Sequence, residues 1–305
     1  MRLFVPAETR EGERRVAMVP DTVGLLAAMG LDISIESGAG DEAFASDADY
    51  QAAGASIVPI GEVDAALASA DVVPTVRPLD PDRGAKLKAG AVALSLLQPA
   101  NDGPSIEAIA ASGATALSFD LVPRISRAQS MDALTSQALV TGYRSALIGA
   151  ERLPKFFPLF MTAAGTIPPA KVLVLGAGVA GLQAIATAKR LGAVVSAYDV
   201  REASADEVKS MGASFVKLEL EAVESTGGYA REMTEDRAAR QRELLTPYIT
   251  QSDVLITTAA VPGRRAPRLV TTEMLAGMKI GSVVVDLAAE TGGNVERSIP
   301  GEEVV

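Results

Sequence analysis

Three glycines at the spacing GxGxxG, Gly176-Ala177-Gly178-Val179-Ala180-Gly181, are followed by an acid, Asp199. Their types and spacing suit the binding of a dinucleotide. Gly176 permits a tight turn, Gly178 lets the backbone approach a pyrophosphate, and Gly181 allows close helix–strand packing. Asp199 lies about 20 residues on, where a carboxylate accepts both ribose hydroxyls of NAD and repels a 2′-phosphate. These residues do nothing unless elements hold them. The apolar run Lys171–Leu175 reads as a strand into the turn, a helical stretch follows, and Val194–Tyr198 reads as a second strand delivering Asp199. The helix start adds unpaired N–H groups and partial positive charge for the phosphates. The cofactor expected from these residues is NAD(H).

The rest of the composition narrows the chemistry. The 305 residues include 38 Asp plus Glu against 28 Lys plus Arg, a net charge of −10. An acidic balance argues against nucleic acid or an anionic lipid surface as main partner. There is no Cys and no His, so disulfides and thiolate chemistry are excluded and the usual zinc ligands are missing; a reducing compartment fits. Without His, proton transfer would fall to Asp, Glu, Lys or Tyr. Hydride transfer between two nicotinamides needs no such group, because the cofactors carry the chemistry. Met1-Arg2-Leu3-Phe4-Val5-Pro6 reads as a strand start rather than a signal peptide. No apolar stretch approaches the roughly 20 residues of a membrane span.

The length accommodates two domains. In the first, 3–5, 32–36, 71–76, 91–97 and 115–121 read as strands, and 20–29, 41–53, 60–68 and 105–112 as helices. This alternation predicts a parallel sheet covered on both faces. It lacks a glycine fingerprint and is assigned no nucleotide. The predicted boundary separates an N-terminal Rossmann-like domain, 1–123, from a nucleotide-binding domain, 124–305. A long helix, 133–153, leads the second, with further strands at 214–218, 253–259 and 282–288. Between the first two of these strands, Gly227-Gly228-Tyr229 forms a paired-glycine hinge with an aromatic tip. It reads equally as a lid over a cofactor or as a surface loop.

Several segments resemble the proton-translocating NAD(P) transhydrogenases, specifically their NAD(H)-binding alpha component, within the alanine dehydrogenase/transhydrogenase family. They are Arg124-Ile125-Ser126-Arg127-Ala128-Gln129-Ser130-Met131-Asp132, Thr162-Ala163-Ala164-Gly165, Pro168-Pro169-Ala170-Lys171-Val172, the stretch from Gly176 to Arg190, Gly227-Gly228-Tyr229-Ala230, Thr257-Thr258-Ala259, and the stretch from Gly281 to Ala288. The resemblance runs end to end. It implies an α/β protein of two Rossmann-like, doubly wound parallel-sheet domains linked by the long helix, with a cofactor cleft between them. It implies a homodimer, peripheral on the cytoplasmic face of a bacterial inner membrane. The implied partners are an NADP(H)-binding component and a transmembrane subunit. Hydride would pass directly between NADH and NADP+, coupled to proton translocation.

By resemblance, Arg124 bonds the nicotinamide carboxamide, Asp132 orients that arginine, and Gln129 reaches toward the second nicotinamide. Thr135, followed by Ser136, stands where the family places a Ser that contacts the carboxamide. Tyr229, beside Gly228, takes the place of the lid tyrosine. Val179, Ala180, Val200, Arg201, Thr258 and Ala259 complete the implied cofactor-binding set. On residue types alone, Arg124 with Asp132 reads as an ion pair at a helix start, and Gln129 as solvent-facing. The family's chain continues past the point matched by Pro300-Gly301-Glu302-Glu303-Val304-Val305, so a fragment or a shortened relative is expected, with a sheet edge left unpaired.

Two alternatives accompany this reading. An alanine-type amino-acid dehydrogenase shares the fold, but Gln98 stands where those relatives carry a His, and Arg77 where they carry a Lys. Arg15 matches their substrate-carboxylate residue. Glutamine is no general base. The other alternative is a catalytically silent NAD-binding module.

Overall fold

A strand that carries apolar side chains on both faces has to be covered on both. In Lys171–Leu175, Val172 and Val174 enter one core and Leu173 and Leu175 another, following the two-residue period of a pleated strand. Leu3 and Val5 likewise join one cluster and Phe4 a second. Doubly buried strands of this kind call for parallel sheets with helices on either side. The computed structural model describes all residues except 100, 124, 220–234 and 261–264. Its chain divides into two units, Met1–Leu134 and Thr135–Val305.

In the first unit the elements run β1 (Arg2–Val5), α1 (Pro20–Ala28), β2 (Asp32–Glu36), α2 (Asp47–Ala52), β3 (Ser56–Val58) and α3 (Val63–Ser69). They continue through β4 (Val72–Pro74), α4 (Pro81–Gly84), β5 (Val92–Ser95), α5 (Gly103–Ala111) and β6 (Thr115–Ser118). The six strands form one parallel sheet in the order β3-β2-β1-β4-β5-β6. The helix predicted over 41–53 is two pieces. A 3-10 turn at Asp41–Ala43 ends on Phe44 in the left-handed region, at φ 59°. A capping box then restarts the helix, with the Ser46 hydroxyl accepting from the Asp49 N–H and the Asp49 carboxylate from the Ser46 N–H.

α6 (Ala133–Arg152) opens at the division between the units. The second unit continues with β7 (Phe160–Thr162), β8 (Gly165–Ile167), β9 (Lys171–Leu175), α7 (Val179–Arg190), β10 (Val194–Tyr198) and α8 (Ser204–Ser210). There follow β11 (Ser214–Phe215), α9 (Glu235–Gln251), β12 (Val254–Thr257), α10 (Thr272–Ala276) and β13 (Val283–Asp286). Five strands form a parallel sheet in the order β11-β10-β9-β12-β13, while β7 and β8 make a separate antiparallel hairpin. β9 is central and reverses the strand order, with β10 on one side and β12 on the other. That reversal opens a crevice beyond the carboxyl ends of β9 and β12, where nucleotides bind in such sheets. Ala146 and Leu153, from α6 and just after it, and Ala184, Ile185 and Ala188 of α7 pack on one face. Leu245 and Ile249 of α9 pack on the other.

Candidate dinucleotide site

The fingerprint glycines lie in the turn from β9 to α7, at the switch point. Gly176 has φ +104°, and a Cβ there would stand 2.6 Å from Thr258 Oγ1 and 3.1 Å from Ala259 N. Only glycine fits that conformation in that space. The Thr258 hydroxyl, just past β12, donates to the Gly176 carbonyl at 3.0 Å, locking the turn to the neighbouring strand end. At Gly181 a Cβ would fall 1.9 Å from the Gly176 carbonyl oxygen, so the helix presses directly against its own turn. Gly178 differs from both. It is exposed, its φ of −77° and ψ of −168° suit any residue, and a Cβ there would meet nothing within 4 Å.

Gly178 is also the N-cap of α7 and provides no side-chain cap. The first-turn N–H groups of Val179, Ala180 and Gly181 are left for another acceptor, and an anion is the natural one. An open backbone at Gly178 above an uncapped helix start is the cradle a pyrophosphate needs. The residues therefore fit a dinucleotide.

Asp199 follows β10 and reaches back to this turn. The Ala177 N–H donates to Asp199 Oδ2 at 2.7 Å. Arg201 supplies three more bonds: its backbone N–H at 2.8 Å and its Nε at 3.0 Å to Oδ1, and Nη2 at 3.1 Å to Oδ2. The carboxylate side chain is 8% exposed and the guanidinium side chain 23%. Val200 lies between them and packs on the second core. Below, the buried Tyr198 hydroxyl accepts from Gln241 Nε2 at 3.1 Å; burial raises its pKa, partly offset by that bond.

α6 supports the turn from outside. Gly142, Ser145, Ala146 and Gly149 are buried on one face, at the i, i+3, i+4, i+7 spacing of a helical stripe. A Cβ on Gly142 would lie 2.1 Å from the Ala180 carbonyl oxygen, and one on Gly149 would lie 2.9 Å from Val254 Cγ1. The motifs read from the sequence do not include this contact, although the small-residue stripe signals it. Thr135 and Ser136 sit about 10 Å further toward the N-terminus of α6, some two helical turns before Gly142. Thr135 is half-buried and Ser136 exposed.

Gly176, Gly178, Val179, Ala180, Gly181, Asp199, Val200, Arg201, Thr258 and Ala259 thus converge around one turn of the second unit. Gln129 and Asp132 belong to the first unit. Gln129 is exposed in the 3-10 turn Ser126–Met131, and its carbonyl accepts from the Asp132 N–H at 3.2 Å. Arg124, Gly228 and Tyr229 lie outside the described residues.

The first unit has its own switch point between β1 and β4, and there the chain supplies its own anions. Glu8 accepts from the Val76 and Arg77 N–H groups at 2.6 and 3.1 Å; burial outweighs those bonds and raises its pKa. Glu13 takes the Arg15 guanidinium at 2.6 Å and Arg77 Nε at 3.3 Å. Burial opposes its ionisation, but the bonds to Arg15 and the field of Arg77 hold its carboxyl below the usual range. Arg15 is thereby engaged within the chain. Gln98 is held at φ 47°, its N–H donating to Asp120 Oδ2 at 2.8 Å.

Residues 4–141 match the family model for the alanine dehydrogenase/PNT N-terminal domain, and residues 145–305 match its C-terminal domain. The chain belongs to the alanine dehydrogenase/PNT family. Across its whole length it is 47% identical to the first portion of the NAD(P) transhydrogenase alpha subunit of Rhodospirillum rubrum, a separate chain of which it covers 81%. Identity to the alanine dehydrogenase of Mycobacterium tuberculosis is 32%, over 98% of this chain and 76% of that one. Among solved structures, the transhydrogenase from Sinorhizobium meliloti superposes with a TM-score of 0.85 at 42% identity, covering 97% of this chain and 81% of that one. Within the family, then, the chain is more similar to transhydrogenase alpha subunits than to this alanine dehydrogenase.

Proposed function

We propose that this family member is the NAD(H)-binding component of a proton-translocating NAD(P) transhydrogenase. Bound nicotinamide would supply the hydride chemistry, exchanging hydride with NADP(H) held on a partner component. The chain's own residues bind and orient. The α7 N-terminus and Gly178 hold phosphate, Asp199 with Val200 and Arg201 forms the ribose side, and Thr258 and Ala259 close the turn. Arg124, Gln129, Asp132, Thr135 and Ser136 are proposed at the nicotinamide end, and Gly228 with Tyr229 as a closing lid. The observation that carries the reading is the pairing of this turn with a histidine-free chain. A dinucleotide cradle with Gln98 in place of a base suits transfer between two nicotinamides better than amino-acid oxidation.

A membrane subunit would carry the protons, since no helix among the described residues is long and apolar enough to cross a membrane. Docking on the cytoplasmic face of a bacterial inner membrane is part of the same proposal. A homodimer is supported by the β7–β8 hairpin, all six of whose strand residues are exposed, Phe160, Met161 and Ile167 among them. Apolar surface of this kind marks an interaction site.

The test supplies the NADP(H)-binding component and an NADP analogue. Hydride transfer from NADH is expected then, with none to pyruvate and ammonia. Pyruvate-dependent oxidation of NADH by this chain alone would overturn the reading.

A further inference from the structure

An ionised carboxylate has about four acceptor sites, and all those of Asp199 are taken. Two bonds come from backbone, Ala177 N–H to Oδ2 and Arg201 N–H to Oδ1; the other two come from the Arg201 guanidinium, Nε to Oδ1 and Nη2 to Oδ2. The fork thus places one N–H on each oxygen. A ribose 2′,3′-diol would offer the same carboxylate two O–H donors. Resting on the nucleotide reading above, we propose that the Asp199–Arg201 pair is a selectivity lock over a latent 2′-phosphate site. The diol of NAD(H) opens the lock by replacing the fork, donor for donor.

The 2′-phosphate of NADP(H) cannot make that exchange. It brings negative charge and acceptor oxygens where donors are required. The fork therefore stays on Asp199, the phosphate meets a carboxylate, and the adjacent guanidinium remains neutralised. Arg201 has the planar, bidentate chemistry that suits a phosphate, and an arginine beside the ribose is how such folds accept NADP. Asp199 accordingly has two effects: it accepts the diol, and it withholds this cation from the phosphate. The guanidinium also reaches the Ala177 carbonyl, Nη2 to oxygen at 3.4 Å, so the latent site adjoins the pyrophosphate turn.

The experiment measures NADH and NADPH dissociation constants of the full chain by calorimetry for wild type, Asp199→Asn, Arg201→Ala and the double variant. Asp199→Asn should gain about tenfold or more in NADPH affinity, the worth of one charge-assisted bond. The double variant should lose that gain. Arg201→Ala alone should bind NADH several-fold more tightly, because the diol no longer displaces a competitor. A double variant that keeps the NADPH gain would reduce the effect to simple repulsion and overturn the lock. Arg201→Ala with unchanged or weaker NADH binding would overturn it too, even if Asp199→Asn failed to fold. Wild-type chain that does not bind NADH at all would instead refute the nucleotide reading.

Discussion

Gly178 and Gly181 sit three residues apart in one turn, yet alanine should do opposite things at the two positions. At Gly181 the new Cβ would lie 1.9 Å from the Gly176 carbonyl oxygen and 2.8 Å from its carbon. Both neighbours are backbone, so relief requires α7 to move from β9. Overpacking of a filled interior costs about 1–3 kcal/mol, and a backbone clash belongs at the upper end. A loss of about 3 kcal/mol lowers Tm by roughly 6–12 °C for a unit of this size. At Gly178 the Cβ meets nothing within 4 Å, and φ −77° needs no glycine. Alanine there restricts the unfolded chain and should stabilise by about 0.4–1 kcal/mol. The same methyl would occupy the space through which a pyrophosphate approaches. If it costs about 2 kcal/mol of fit, the NADH dissociation constant rises roughly 30-fold. Urea unfolding and NADH calorimetry on the two variants separate these effects. A Gly178→Ala protein that is at least as stable as wild type and binds NADH equally well would refute the assignment of this turn to phosphate.

Gly142→Ala drives a Cβ to 2.1 Å from the Ala180 carbonyl oxygen; urea unfolding should show a loss of about 2–3 kcal/mol, with weaker NADH binding as the α7 start shifts. Asp253, at the opposite end of β12, is nearly buried between Lys155 at 2.9 Å and Lys279 at 3.2 Å, and accepts from the Lys171 N–H at 2.8 Å. Burial alone would raise its carboxyl, but these bonds together hold it below the ordinary 3.8. The resulting stability is present above the unfolded value and is lost as pH falls through the lower folded value. Asp253→Asn should therefore cost about 1–3 kcal/mol at neutral pH, and a melting series should show the difference shrinking below about pH 4. Gln129→Asn should leave the NADH dissociation constant near wild type and slow transfer to an NADP analogue on the partner component, since about 1 Å of misplacement can cost roughly 100-fold in rate. Loss of NADH affinity in that variant would place Gln129 at the wrong cofactor.

The nucleotide turn is legible in the sequence because every piece of it has its own signal. An apolar strand, three spaced glycines and an acid after the next strand all point to the same geometry. The long helix is legible in extent, 133–153 expected and Ala133–Arg152 found, but not in purpose. Its small residues at 142, 145, 146 and 149 read as part of an apolar face, whereas their task is to let two backbones meet. The break at Phe44 does not show, although Ser46-Asp47-Ala48-Asp49 carries the spacing of a capping box, because the apolar period runs on through 41–53. Short elements escape altogether. Ser204–Ser210 is mostly polar, and Phe160–Ile167 is a hairpin with no buried strand face to impose alternation.

What no pattern can supply is the state of a charge. Asp199 reads as an acceptor for ribose, and nothing in Asp199-Val200-Arg201 says that its acceptor sites are already occupied. Residues two apart on a loop have no fixed relation, unlike the i, i+4 neighbours of a helix. Here the Arg201 N–H turns onto Oδ1 and brings the guanidinium alongside, a result of backbone path rather than residue type. The same holds at the switch point of the first unit, where Arg15 reads as a carboxylate binder and the chain provides the carboxylate itself, Glu13. In both units a cation near the switch point is already paired within the chain, so the response to an incoming anion depends on whether that anion can displace the resident carboxylate. Charge counts cannot decide that; the acceptor sites on Asp199 and Glu13 do.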